Sequence, residues 1–155
     1  MKNKNKGFTI VEIIVSLSII VIVLALCSTL IVMVSNIAKK QEYEYLCQTE
    51  YQDASSLVEE FKNAYSTYQY TLYEVTSNSI TMKDSENDYQ INYDENTKKL
   101  SAQIYNYQTE QVENKEITFK YLINISFVAQ DNNVSCTYQF DNFHSYTNLL
   151  IFGAN

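Results

Sequence analysis

Glu12 carries the clearest chemical demand in this chain. It opens an apolar run that reaches Ala38, and from Ile13 to Ala38 there is no charged residue, no Gly and no Pro. A charge at the hydrocarbon boundary of a bilayer is expensive, about 2.5 kcal/mol or more at a helix centre, so an acid fixed there needs a nearby cation or a function. Cleavage after Gly7 would supply that cation as the new amino terminus of Phe8. The plainer reading of Glu12 is a carboxylate favoured by the helix macrodipole, worth about 0.3 to 1 kcal/mol.

Other reactive residue types form no catalytic pattern. His144, the one histidine, has no recognisable nucleophile or metal-ligand spacing around it and reads as a surface or packing residue beside Phe143 and Tyr146. Asp84, Glu86 and Asp88 alternate as calcium loops do, but Tyr89 stands where the sharp-turn glycine should follow and the distal glutamate is missing, so a solvated turn is expected. No metal and no cofactor are expected, and the chain is not read as an enzyme. Of the three cysteines, Cys27 falls in the apolar run as a packing residue. Cys47 and Cys136 fall in the remainder, where two buried thiols are favoured over a disulfide, which would need Cα atoms about 4.4 to 6.8 Å apart. The 14 tyrosines suit amphipathic strands, with ring buried and hydroxyl wet, better than sugar or base stacking.

The element that positions Glu12 is the apolar run. Ile13 to Val34 spans 22 residues, about 33 Å of helix at 1.5 Å per residue and enough to cross the hydrocarbon core. An ordinary secretory signal has a shorter apolar core with its cleavage site behind it. Here a cut before the run leaves the anchor on the protein. Lys2, Lys4 and Lys6 favour a cytoplasmic N-terminus and place everything after Lys39 outside. Ser16, Ser18, Ser28 and Thr29 within the run are read as helix hydroxyls bonding back to carbonyls.

Past the run, Tyr43, Leu46, Cys47, Tyr51, Ala54, Leu57, Val58 and Phe61 recur at spacings of three and four, the mark of an amphipathic helix. One long helix from Phe8 to about Thr67 is therefore predicted. After Tyr70 the period shortens. Strand formers gather at 70–75, 79–83, 88–93, 100–105, 117–127 and 134–140, separated by Asn, Asp and Ser clusters. Short connections of this kind favour a largely antiparallel sheet laid against the helix. The segment Leu149 to Phe152 reads as one more strand or a tail on the sheet. The fold class is α+β: a leader at 1–7, an anchor helix at 8–38, an amphipathic helix at 39–69 and a sheet at 70–155.

A length of 155 residues suits one anchor and one modest domain. Loss of residues 1–7 removes three lysines and leaves 8 basic residues against 18 acidic ones, a net −10. Such an acidic body offers no footprint for nucleic acid or anionic lipid.

The segment Gly7-Phe8-Thr9-Ile10-Val11-Glu12 resembles the N-terminal signature of type IV pilins and pseudopilins. The resemblance implies cleavage after Gly7 by a prepilin peptidase, methylation of the new terminus at Phe8, and a meeting of Glu12 with the amine of a neighbouring subunit. It implies the lollipop architecture of that family and a structural subunit of a type IV pilus, a competence pseudopilus or a secretion filament. Its partners would be other pilin subunits, the peptidase, an assembly ATPase with its platform protein, and the membrane. The alternative is an uncleaved single-pass protein whose outer domain binds a ligand or carbohydrate, which leaves Gly7, Phe8 and Glu12 without a role. Few glycines, no proline and a small body suggest a minor or competence-type subunit, and the Lys, Asn, Ile and Tyr bias looks Gram-positive.

Overall fold

The computed structural model describes residues 9–65, 72–130 and 133–151. The chain divides into two compact units, Met1–Glu44 and Tyr45–Asn155.

In the first unit the described residues are helical from Ile10 onward, as part of α1 (Ile10–Tyr65). Ile and Val are weak helix formers, but with no Gly or Pro to interrupt them nothing stops the helix from propagating. The apolar side chains stand exposed all round, Val11 at 68%, Val21 at 64% and Ile31 at 70% among them. A helix apolar on every side needs an apolar surrounding. By length and composition α1 is able to cross a membrane. The hydroxyls of Ser16, Ser18 and Ser28 donate to the carbonyls of Glu12, Ile14 and Leu24 at 2.7 to 2.8 Å, and Thr29 donates to Leu26 at 2.8 Å. These back-bonds remove the polar cost that the sequence raised.

In the second unit the rest of α1 lays one stripe on a core. Cys47, Ala54, Leu57, Val58 and Phe61 are buried, as the period required. Against them pack two antiparallel meanders. The first has five strands: β1 (Leu72–Val75), β2 (Ser79–Lys83), β3 (Asn87–Asp94), β4 (Lys99–Asn106) and β5 (Val112–Thr118). The second has three: β6 (Asn124–Gln130), β7 (Asn133–Gln139) and β8 (Ser145–Ile151). Alternation sends Ile80, Met82, Tyr89, Ile91, Tyr93 and Leu100 inward from the first sheet, and Ile125, Phe127, Val134, Cys136, Tyr138 and Leu150 from the second. Each large apolar side chain so buried contributes about 1.5 to 3 kcal/mol.

The single sheet expected from the sequence is thus two, and the stretch 117–127, read as one strand, is broken in its middle. Strand β5 ends at Thr118, the Phe119 N–H donates to the Lys98 carbonyl at 2.9 Å, and the next three N–H groups turn to the helix. The carboxylate of Glu50 accepts all three, from Lys120 at 2.8 Å, Tyr121 at 2.9 Å and Leu122 at 2.9 Å. Backbone donors satisfied by a side chain cannot join a ladder, so the strand stops and restarts at Asn124. The carbonyl of Leu122 is held in turn by the Tyr93 hydroxyl at 3.0 Å. Strand β5 itself escaped the sequence reading because Glu113, Asn114, Lys115 and Glu116 show no apolar alternation, and all but one of its residues are exposed. Charged, solvated residues are what an edge strand carries when it is protected from further pairing. The last segment resolves as strand β8, with Phe152 outside the described residues.

Candidate functional site

The start of α1 is a reciprocal cap. Thr9 precedes the first helical residue, and its carbonyl accepts the Ile13 N–H at 3.2 Å. The Thr9 N–H and the Thr9 hydroxyl both donate to Glu12 Oε2 at 2.9 Å, while the Glu12 N–H donates to Thr9 Oγ1 at 3.3 Å. A Thr followed by a Glu three residues on is the capping-box pattern, which satisfies helix-end donors that have no carbonyl one turn back. The cap is legible in the sequence from Thr9 and Glu12 alone, beside the macrodipole and amine-partner readings of the acid.

Capping fixes where the acid is. One carboxylate oxygen, Oε2, takes both Thr9 bonds, and among the described residues Oε1 accepts none. The group is held in one orientation with an acceptor open at the end of an apolar helix. What such an arrangement can do chemically is receive a cation, in a charge-assisted bond of the N⁺–H···O⁻ type. Gly7 and Phe8, the residues expected at the cut, lie outside the described residues.

The remaining candidates resolve into structural duties. Asp84 Oδ1 accepts the N–H groups of Glu86 at 2.7 Å and Asn87 at 2.6 Å, closing the turn between β2 and β3. Asp88 pairs with Lys83 at 3.3 Å and accepts the Tyr107 hydroxyl at 2.5 Å. That bond to the Asp88 carboxylate is the main reason the Tyr107 hydroxyl is pushed up to about 12. Among the described residues no group of His, Cys, Asp and Glu is arranged to hold a metal ion. Asp141 Oδ1 accepts the N–H groups of Phe143 and His144, both at 2.7 Å, and His144 Nδ1 meets Asp141 Oδ2 at 2.8 Å. The histidine therefore braces the hairpin between β7 and β8.

Cys47 and Cys136 are both fully buried, and no disulfide joins them. Burial pushes the Cys136 thiol up to about 12, against a smaller opposing effect of a bond with Tyr138. A thiol held neutral in this way is a packing group, not a nucleophile. The aromatics around it are structural too: Tyr51 stacks on Tyr146 with centroids 4.7 Å apart and meets Tyr138 edge-on at 5.2 Å.

One known family model matches the N-terminal part of the chain. Residues 2–28 match the family model described as the prokaryotic N-terminal methylation motif. That match supports the type IV pilin and pseudopilin family, and it covers the apolar first part of α1 and not the two sheets. No curated protein and no solved structure matches the chain.

Proposed function

We propose that the chain is a pilin-like structural subunit, anchored in the membrane by α1 and assembled into a filament through it. The observation that carries this reading is the junction at residues 9–12. A methylation motif runs directly into an apolar helix whose first turn holds a carboxylate in a fixed orientation. In such a subunit a prepilin peptidase cuts after Gly7 and Phe8 becomes the terminus. The amine of Phe8 in one copy then meets Glu12 of a neighbour as the subunit leaves the bilayer. Long apolar helices bury one another in the filament, so extraction need not expose them to water. The pairing of Glu12 sets register even where its net stabilisation is small.

Orientation follows the lysines: the leader stays in the cytoplasm and the sheets lie outside the cell. An assembly ATPase and its platform protein supply the work. Within the family we favour a minor or competence-type subunit, because the membrane half has no Gly or Pro of the kind that loosens a helix.

Intact-mass measurement of the membrane and filament fractions tests the reading. The mature protein should begin at Phe8 and carry a methyl group, and Gly7→Val should keep the leader, insert normally and fail to assemble. Assembled protein that still begins at Met1 would overturn it.

A further inference from the structure

Phe143 is 92% exposed, more than any other large apolar side chain among the described residues, and the loop that carries it is tied. The Asp141 carboxylate accepts the N–H groups of Phe143 and His144, both at 2.7 Å, and the Phe140 N–H donates to the His144 carbonyl at 2.9 Å. The polar groups of the loop thus bond to one another while the ring is held outward. A loop of this kind gains by burying its ring and leaves fewer unpaired donors behind when it does so.

The loop lies at one identifiable end of the second unit. Tyr146 stacks on Tyr51, and the Asn148 amide donates to Ser55 and Glu59, so β8 runs in the same direction as α1. The three steps from Tyr146 back to Phe143 cover about 10 Å at about 3.3 Å per residue. The six from Tyr51 back to Tyr45 cover about 9 Å at 1.5 Å per residue. Phe143 therefore stands at about the level of Tyr45, where α1 enters the unit. Tyr45 is itself 69% exposed. The segment 119–123, held by Glu50 at the same end, adds Ile123, which is 47% exposed and bonds through its N–H to the Gln139 carbonyl.

What faces this end follows from the helix. Tyr45 comes seven residues after Ala38, the last of the uncharged run, about 10 Å along α1. The run from Ile13 to Ala38 has 26 residues, about 39 Å of helix against about 30 Å of hydrocarbon. An apolar helix longer than the bilayer is thick takes up the excess by tilting, and a tilt lowers one side of what the helix carries toward the lipid. We infer that the hairpin between β7 and β8 rests on the bilayer that holds α1, with the Phe143 ring at the boundary of headgroups and acyl chains. Continuity with the anchor selects this occupant, and exposed aromatic and aliphatic side chains beside a polar surface are the composition of an interfacial contact. The contact is apolar and not electrostatic, because Lys98 and Lys99 are matched by Asp94 and Glu95 in the same turn.

The inference rests on the membrane anchor of the proposed function, and not on cleavage at Gly7 or on assembly. A subunit docked in this way waits with its sheets against the bilayer. Its extraction must first lift the ring out of lipid.

The chain has no tryptophan, so Phe143→Trp places a single fluorophore at the tip of the hairpin. Val112→Trp, at a position 59% exposed at the opposite end of the first sheet, supplies the control. Both full chains are reconstituted in phosphatidylcholine vesicles and checked by flotation. A phospholipid brominated high on its acyl chains should quench Phe143→Trp several-fold more than Val112→Trp, acrylamide should do the reverse, and raising salt should change neither. Equal quenching of the two by the brominated lipid would overturn the contact. So would shielding of Phe143→Trp from acrylamide without quenching by lipid, which would put protein over the ring. Lipid quenching that falls as salt rises would replace the apolar contact by an electrostatic one. A chain that does not float with the vesicles would overturn the anchor and this inference with it, whereas one that floats without lipid quenching overturns this inference alone.

Discussion

The N–H of Leu122 donates to Glu50 Oε2 at 2.9 Å, across 72 residues of sequence. Through this bond and its neighbours one helix side chain decides where the first sheet ends. Leu122 is fully buried, and a buried N–H left without a partner is costly.

The first prediction is that Glu50→Ala destabilises the second unit by about 1.5 to 3 kcal/mol, the range for hydrogen bonds to a charged group. Glu50→Gln keeps an oxygen acceptor for one or two of the three donors and should lose less. Urea unfolding followed by far-UV circular dichroism reads both. An unchanged midpoint for Glu50→Ala would show that water replaces the carboxylate freely.

Local pattern made some of this legible and distance hid the rest. The stripe from Cys47 to Phe61 and the alternation of β2, β3 and β4 are periodic, so a short window of sequence reveals them. The break at residues 119–123 is invisible locally, because its cause, Glu50, sits a helix away and looks like any other solvated glutamate. Strand β5 is likewise defined by its neighbour β4 and not by its own residues. At the helix start the case is reversed, since Thr9 and Glu12 are three residues apart and the capping box needs no tertiary knowledge.

The second prediction concerns independence. A fragment that begins at about residue 41 should be soluble and folded, because the second unit has its own core. Phe61 is 4% exposed and meets Tyr89 edge-on with centroids 6.1 Å apart. Phe61→Ala should therefore cost about 3 to 5 kcal/mol, and Leu57→Asp, which buries an unpaired charge, should prevent folding. Hydrogen exchange without protection anywhere in the parent fragment would show that the sheets depend on the anchor.

Alkaline pH should weaken the same unit. Burial, with help from the charges of Glu95, Glu50 and Asp94, raises the Tyr93 hydroxyl to about 12, and burial raises the Cys136 thiol to about 12. The ordinary values of a tyrosine hydroxyl and a cysteine thiol are 10.0 and 9.0, so above those the unfolded chain binds fewer protons than the folded one. Stability is fully present below about pH 9 and falls as pH rises toward 12. Cys136→Ala should remove the part of the loss that begins near pH 9 while lowering stability at neutral pH. Urea midpoints that stay flat from pH 8 to 11 would contradict the assignment. Asp94 works in the opposite sense at low pH: the Thr97 hydroxyl and the Asn96 N–H hold its carboxyl below the usual range, so its contribution is lost as pH falls below about 4.

The last prediction tests whether Glu12, beyond capping the helix, receives an amine in assembly as proposed. Thr9 and Glu12 cap each other, so a defect in Glu12→Val alone cannot distinguish a frayed helix end from a missing partner for the Phe8 amine. Thr9→Ala supplies the difference, because it removes the cap, at about 0.5 to 2 kcal/mol, while the carboxylate remains. If capping is the whole role, Thr9→Ala and Glu12→Val lower filament yield alike and modestly. If the acid receives an amine, Glu12→Val enters the membrane at least as well as the parent, having lost an unfavourable group from the lipid margin, yet is largely absent from sheared filaments. Thr9→Ala then assembles at an intermediate level and Thr9→Ser, which keeps the hydroxyl, at the parent level. Glu12→Gln keeps the bond to Thr9 and loses the charge, so it should cap but not assemble. Membrane level, processing at Gly7 and filament level must be read in the same cells. Equal incorporation of processed Glu12→Gln and parent protein would remove Glu12 from assembly and leave it a helix cap.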